Sequence, residues 1–316
     1  MAMSESAIGL VAFAALFLLI GLRVPIAIAM ATVGAIGGLV LNGAASVSFI
    51  MGSLHFETVF PYSLSVVPLF IMMGVFAARA GLSKSLYSAV NAFIGHYRGG
   101  LGMATVGACA AFGAICGSSL ATAATMSKVA MPEMRKRNYR DGLAAASIAA
   151  GGTLGVLIPP SVIMVIYALL TEQSIGQMFA AAIVPGIVAT LLYMLAVWGQ
   201  TWRDPADGPA GQRVGYAERL RSLLNVWPVL LLFLVVMGGI YLGWFSPTEA
   251  AAIGAFGALL LAWLKRKLSR EVFLDCLGET ATTSGMIFMI LIGTSLFHYI
   301  IDTTRLPHPR VGLAPA

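Results

Sequence analysis

A chain of 316 residues that is 59% hydrophobic and only 10% charged, with mean hydropathy +0.90, is not a soluble domain, because soluble chains carry about 25% charged residues. A formal charge of +6 and a pI near 9.4 would suit a nucleic-acid partner. The basic residues instead fall in short clusters between apolar runs, the pattern that fixes membrane orientation. Cys109, Cys116 and Cys276 have neither metal-ligand nor redox spacing and read as small core residues.

In chain order, residues 7–22 are apolar and end at Arg23-Val24-Pro25. Without a basic leader or a small-residue cleavage site they read as a first span, not a removed signal. A second apolar run, 26–41, ends at Asn42-Gly43; 44–60 is mixed and lacks Lys and Arg. A third span, 62–78, closes at Arg79 and leads into an amphipathic connector carrying Lys84, His96 and Arg98. Then come the segment 101–132, the basic loop Arg135, Lys136, Arg137 and Arg140, and the apolar stretch 142–170, broken at Gly151-Gly152-Thr153 and Gly155 to Ser161. Pro159-Pro160 removes amide donors and interrupts that helix. A span at 179–199 precedes the polar linker 201–222; spans at 224–243, 248–264 and 284–301 follow, with Lys265, Arg266, Lys267 and Arg270 and an amphipathic arm before the last.

The stretch from Gly117 to Met126 divides 101–132 into apolar pieces 101–116 and 127–132, each shorter than the about 20 residues a spanning helix needs. Two short helices meeting at a polar, glycine-led tip describe a re-entrant hairpin. Irregular backbone at that depth persists only where protein buries it or it lines a cavity. Freed carbonyls beside Ser118, Ser119, Thr122 and Thr125 would cage a small hard cation, and the helix start after the tip would favour an anion. The alternative is a small-residue packing face between membrane helices.

Charge placement bears on this choice. With every basic cluster in the cytoplasm, each interval between clusters contains an even number of crossings, provided that 101–132 enters and leaves by the same side. The first span then begins outside, and 224–243 begins inside. Each is followed by a proline-led span (Pro25, Pro247) and later by a Phe- and Met-rich span carrying a glycine (Gly74, Gly293). This matched order in opposite topology predicts inverted repeats, which build alternating-access transporters.

The segments Cys116-Gly-Ser-Ser-Leu-Ala-Thr-Ala-Ala-Thr-Met126, Gly151-Gly-Thr-Leu-Gly-Val-Leu-Ile-Pro-Pro-Ser161, Ser246-Pro-Thr-Glu-Ala-Ala-Ala252 and Pro68-Leu-Phe-Ile-Met-Met-Gly74 resemble the large membrane (permease) subunit of TRAP transporters. These are tripartite secondary transporters served by a periplasmic binding protein. The resemblance covers roughly 7–300. It implies an all-α polytopic inner-membrane protein of bacteria with its N-terminus in the periplasm, working as an inverted-repeat elevator. It also implies uptake of a small organic acid such as a C4-dicarboxylate or sialic acid, driven by a sodium gradient, with a small membrane subunit and a periplasmic binding protein as partners. No cofactor is implied beyond Na⁺, and no metal site or enzymatic activity.

The resemblance assigns sodium to Gly117, Ser118, Ser119 and Thr122 of the tip and to Gly152, Thr153 and Gly155 of the broken helix, mostly through carbonyls; Na⁺, like other hard cations, takes oxygen ligands. Thr125, Pro159, Pro160 and Ser161 are assigned to substrate binding or gating. The expected organisation is a first repeat, 1–200, a cytoplasmic linker, 201–222, the start of a second repeat, 223–301, and an atypical tail, 302–316. Family members carry a second hairpin and a second broken helix. The tail Asp-Thr-Thr-Arg-Leu-Pro-His-Pro-Arg-Val-Gly-Leu-Ala-Pro-Ala resembles neither, so the expectation is a truncated or frameshifted end, with a non-transporting or regulatory fragment as the alternative function.

Other signals read as structural. Glu249 after Ser-Pro suits a helix-start carboxylate, although ionisable groups in spans are functional candidates by default. His55, His96 and His298 are isolated, and the methionines are apolar filler. An intramembrane serine hydrolase built on Ser118 or Ser119 would need a base within about 3 Å, and His96 falls in the connector.

Overall fold

The computed structural model describes residues 5–304; the part of the tail from 305 onward lies outside the described residues. Among those described, every regular element is a helix. α1 (Glu5–Gly21) and α2 (Ile26–Val59) are followed by a 3-10 turn (Tyr62–Ser65), α3 (Val66–Arg79) and α4 (Leu82–Ile94). Next come α5 (Gly100–Cys116), α6 (Ser119–Lys136), α7 (Asp141–Leu157), α8 (Val162–Leu170) and α9 (Ile175–Arg203). The remainder is α10 (Tyr216–Leu224), α11 (Trp227–Tyr241), α12 (Pro247–Leu264) and α13 (Arg270–Thr303).

Among the described residues, five helices suffice by length and composition to cross a membrane, or seven when the bent pairs α7–α8 and α10–α11 each count once. The chain is a polytopic all-α membrane protein. The mixed stretch 44–60 is largely helical: α2 continues to Val59 through a break at Gly43 (φ 77°, ψ 170°). No proline interrupts Ala44 to Val59, so nothing beyond that glycine stops the helix. The amphipathic arm and the last span likewise form one helix, α13.

Two compact units emerge, and they cut across the sequence halves: Met1–Leu64 with Thr282–Ala316, and Ser65–Ala281. In the first, Ala12, Leu16, Ala29, Val33, Phe297 and Ile301 share a core, with Phe13 edge-on to Phe297 at 5.2 Å. Glycines set the closeness of that packing. A Cβ on Gly293 would sit 2.5 Å from the Ala27 carbonyl oxygen, and one on Gly34 2.9 Å from the Leu296 backbone.

In the second unit, Tyr87, Leu101, Cys109, Met126, Met134, Tyr139 and Ile148 join α4, both arms of the hairpin and α7 in one core. Glu249 is a cap: its carboxylate accepts the Ser246 amide at 2.7 Å, and its own amide donates to Ser246 Oγ at 3.3 Å. That capping box satisfies the first turn of α12. All three cysteines are buried and unpaired.

The polar linker is tied down at its start. Gly99 N donates to Gly208 O (2.9 Å), and Gly211 N donates to Gly95 O (3.1 Å). Asp207 accepts from Gln200 Nε2 (3.0 Å) and Arg140 Nη1 (3.4 Å), and its carbonyl accepts the Arg140 amide at 3.1 Å. This strap holds the entry to α5 beside the entry to α7. Tyr139 adds a rivet, its hydroxyl accepting the Leu101 amide at 3.1 Å.

The Gln200 amide, with the Arg140 guanidinium beside it, holds the Asp207 carboxyl below its ordinary value against the opposing effect of burial. A depressed carboxylate contributes stability above its unfolded pKa and loses it as pH falls through the folded value. Hydrogen-exchange protection of the Gly208 and Gly211 region, corrected for intrinsic rates, should therefore persist at neutral pH and fall severalfold below the ordinary carboxylate range. In Asp207→Asn it should be low throughout and nearly independent of pH.

Candidate functional site

The hairpin turns in two residues. Gly117 terminates α5 in the left-handed region (φ 64°, ψ 10°) and donates its amide to Gly113 O at 2.8 Å. That conformation costs a residue with a Cβ roughly 1–2 kcal/mol. Ser118 then caps α6, its Oγ accepting the Ala121 amide at 3.4 Å. The second arm is longer than the apolar stretch 127–132. The polar residues Ser119 to Met126 are its first helical turns, because an N-capped Leu-Ala-Thr-Ala-Ala run has good helix propensity.

α7 receives this hairpin along a row of glycines. A Cβ on Gly151 would lie 2.9 Å from Cys109 Sγ, one on Gly152 2.7 Å from Ala123 Cβ, and one on Gly155 2.7 Å from Thr122 Oγ1 and 2.9 Å from Ser118 O. A Cβ on Gly113 would reach 2.5 Å from the Gly155 Cα. Real Cβ atoms do not come that close, so backbone meets backbone here, as small residues permit between membrane helices.

α7 stops at Leu157, and α8 restarts at Val162 after the Ile158–Ser161 break, with Pro159-Pro160 joined by a cis peptide. Ser161, fully buried, caps α8 by accepting the Met164 amide at 3.4 Å. The break touches the hairpin turn: Val162 N donates to Gly117 O at 3.4 Å. The carbonyl ends of α5 and α7 and the amide ends of α6 and α8 thus flank the same two breaks. Carbonyl ends favour cations and amide ends favour anions.

Thr122 sits where these breaks face each other. It is fully buried, and its hydroxyl makes no hydrogen bond; the Cys116 thiol, a weak partner, faces it. Such a group carries a desolvation penalty of about 1–3 kcal/mol unless something binds it. Ser118, Ser119, Thr122, Gly152 and Gly155 are brought together. The Thr153 hydroxyl turns away, donating to Ala150 O at 2.7 Å and lying 3.4 Å from the Tyr193 hydroxyl. No cluster of three His, Cys, Asp or Glu capable of holding a metal exists among the described residues.

Thr125 lies one helical turn beyond Thr122, on the adjoining flank of α6. With Gly74, Cys116, Ala121 and Lys128 it lines a cavity of about 440 Å³ that also receives Arg79, Lys84 and Glu279. Arg79 and Glu279 form a 3.6 Å ion pair there, both about half exposed. Three cations against one carboxylate leave the cavity positive. In the sequence Arg79 and Lys84 read only as charges flanking the third span, and Lys128 and Glu279 belong to no motif. Lys128 was the one within reach of pattern alone, since it falls a helical turn beyond Thr125 on one face.

A family model described as "Tripartite ATP-independent periplasmic transporter, DctM component" matches residues 13–311. The chain is 36% identical to the C4-dicarboxylate TRAP transporter large permease protein DctM of Pseudomonas aeruginosa, over 82% of this chain and 62% of the relative. It is 35% identical to the isethionate TRAP transporter permease protein DctMQ of Oleidesulfovibrio alaskensis, over 93% and 46%. To the ectoine/5-hydroxyectoine large permease protein UehC of Ruegeria pomeroyi it is 32% identical, over 95% and 70%. The chain thus spans 46% to 70% of the length of these curated relatives.

Gly155→Ala should force the hairpin off α7 at Thr122 and Ser118. Overpacking of this kind costs about 1–3 kcal/mol, read as a lower melting temperature of the detergent-solubilised chain by circular dichroism. Gly142→Ala, where an added Cβ meets nothing within 4 Å, should leave it unchanged.

Proposed function

This chain belongs to the DctM component family of tripartite ATP-independent periplasmic transporters, a family of transporter permeases and not of enzymes, and from that premise we propose that it serves sodium-coupled uptake of small organic anions. Its setting is the bacterial inner membrane with the N-terminus in the periplasm, beside a small membrane subunit and a periplasmic binding protein. The observation that carries this reading is that adjoining flanks of α6 meet two different settings. One face presents the unpaired, buried Thr122 hydroxyl to the glycine row of α7. The flank beside it opens at Thr125 and Lys128 into the cationic cavity.

A sodium ion between Ser118, Ser119, Thr122 and the carbonyls of α7 at Gly152, Thr153 and Gly155 would satisfy the orphan hydroxyl and draw the hairpin against the broken helix. Hydroxyl and carbonyl ligands without a carboxylate suit an ion that must also be released. Pro159, Pro160 and Ser161 would keep the break open beside the hairpin turn, where Val162 N meets Gly117 O. An organic acid entering the cavity would meet Arg79, whose planar fork suits a carboxylate, and would compete with Glu279 for it. The relatives' names range over C4-dicarboxylate, isethionate and ectoine, and the charge of this cavity favours the anions among such solutes.

Hairpin, broken helix and cavity all belong to the compact unit Ser65–Ala281, which supports an elevator in which they travel as one body. Inverted repeats at 1–200 and 223–301, joined by the linker 201–222, remain part of the proposal.

Sodium should raise the melting temperature of this chain and potassium should not; at ten times its dissociation constant the ion adds about 1.4 kcal/mol. Thr122→Val should abolish that response while leaving the sodium-free protein as stable or slightly more so, since it removes an unsatisfied hydroxyl. A wild-type chain indifferent to sodium would refute the site. In a full-length relative-sized permease reconstituted with its partners, Ser119→Ala should shift the sodium dependence of uptake, and Pro159→Ala with Pro160→Ala should abolish uptake. Unchanged uptake in both would remove the hairpin and the break from the mechanism.

A further inference from the structure

Beyond transport, the second unit carries a second cationic hollow, about 520 Å³ in volume, where the α3–α4 turn, the α10–α11 junction and the end of α12 meet. Lys84, Lys265 and Lys267 line it together with Ser88, Ser222 and Asn225, and no Asp or Glu takes part. None of the three lysines has an ion-pair partner among the described residues. Partial burial pushes the Lys265 ammonium down from its ordinary value, the effect of desolvating a cation that no anion compensates.

Its depth in the membrane follows from the neighbouring elements. Trp227 lies two residues after Asn225, and Trp263 two before Lys265; they are 58% and 62% exposed. Exposed tryptophans at helix ends mark the membrane–water interface. α10 meets α11 at 45°, buries none of its residues and leaves Leu220, Leu223 and Leu224 uncovered. A short helix with basic residues and an uncovered leucine face lies in the interfacial plane.

We propose that this hollow binds the phosphodiester headgroup of an anionic phospholipid, its phosphate held by the three ammonium groups and its acyl chains lying along the exposed apolar surface below Trp227 and Trp263. The chemistry is that of a phosphate monoanion, and a lipid is the source this site fits. Basic pockets between membrane helices on the positive side recruit such lipids. A soluble phosphate would leave the flanking tryptophans and the leucine face without a role.

The test is native mass spectrometry of the whole chain titrated with phosphatidylglycerol, phosphatidylcholine or inorganic phosphate. The wild type should retain one phosphatidylglycerol in preference to phosphatidylcholine. With about a fivefold effect per lysine, K84Q/K265Q/K267Q should bind it on the order of a hundredfold more weakly. K84R/K265R/K267R should retain it, as should K136Q/R203Q/R213Q, which removes exposed cations outside the hollow. If the triple glutamine variant loses its helical circular dichroism, K84Q alone, at an exposed position, carries the test with its fivefold loss. Equal retention by wild type and the glutamine variants would overturn the proposal, as would an equal loss in the control triple. Displacement of the lipid by inorganic phosphate at matched concentration would overturn the lipid assignment in favour of a soluble anion.

Discussion

Backbone contact between the hairpin and α7 is the constraint on which the rest of the second unit depends. Gly151, Gly152 and Gly155 bring α7 within van der Waals reach of Cys109, Ala123, Thr122 and Ser118. That closeness buries Thr122 deeply enough to leave its hydroxyl facing only the Cys116 thiol, a weak partner. Larger residues would let solvent in and make the hydroxyl an ordinary surface group. Gly74 continues the same logic on the other side of α5, where a Cβ would lie 2.7 Å from the Cys116 Cα. The hairpin turn is therefore gripped from two directions by elements that have given up side chains.

The polar chemistry follows from that grip. Two helices end and two begin around a pair of breaks, so carbonyl and amide ends are held close together in a region with few side-chain charges. Formal charge is kept farther out, at Arg79, Lys84, Lys128 and Glu279 in one hollow and at Lys265 and Lys267 in the next. Neutral dipoles inside and mobile charges outside suit an environment where a buried ion carries a large desolvation penalty. Lys84 lines both hollows, so a headgroup in one alters the electrostatic field in the other.

Much of this was legible in the sequence because it depends on local composition. The spans after the first, the amphipathic α4, the two-armed hairpin, the break at Pro159-Pro160 and the cap at Glu249 each follow from residues within a turn or two of one another, whereas 7–22 gives an apolar helix shorter than the spans counted. What escaped depended on direction and register. The polar run Ser119 to Met126 reads as a tip because hydroxyls look like a break, yet an N-cap followed by alanines makes a helix. Thr153 belongs to the right motif but points to Tyr193, a matter of 100° of helical rotation that no motif records. Arg79 and Glu279 are 200 positions apart and meet only in the folded unit. The grouping of α1 and α2 with the end of α13 does not follow from chain order, which does not say which faces pack.

The linker between the halves has the composition of a spacer: Gly, Pro, Asp and Arg with little apolar surface. Its first part nevertheless carries hydrogen bonds from Gly99, Gly211 and Arg140 and a nearly buried carboxylate at Asp207. Residues 204–211 thus behave as a buckle, closed across the feet of the hairpin and the broken helix, and slack begins only beyond them. Tolerance to lengthening should follow that division. Extra residues placed from 212 to 215 would loop out harmlessly, whereas the same residues inserted before Gly208 would unfasten the base of the hairpin from a distance.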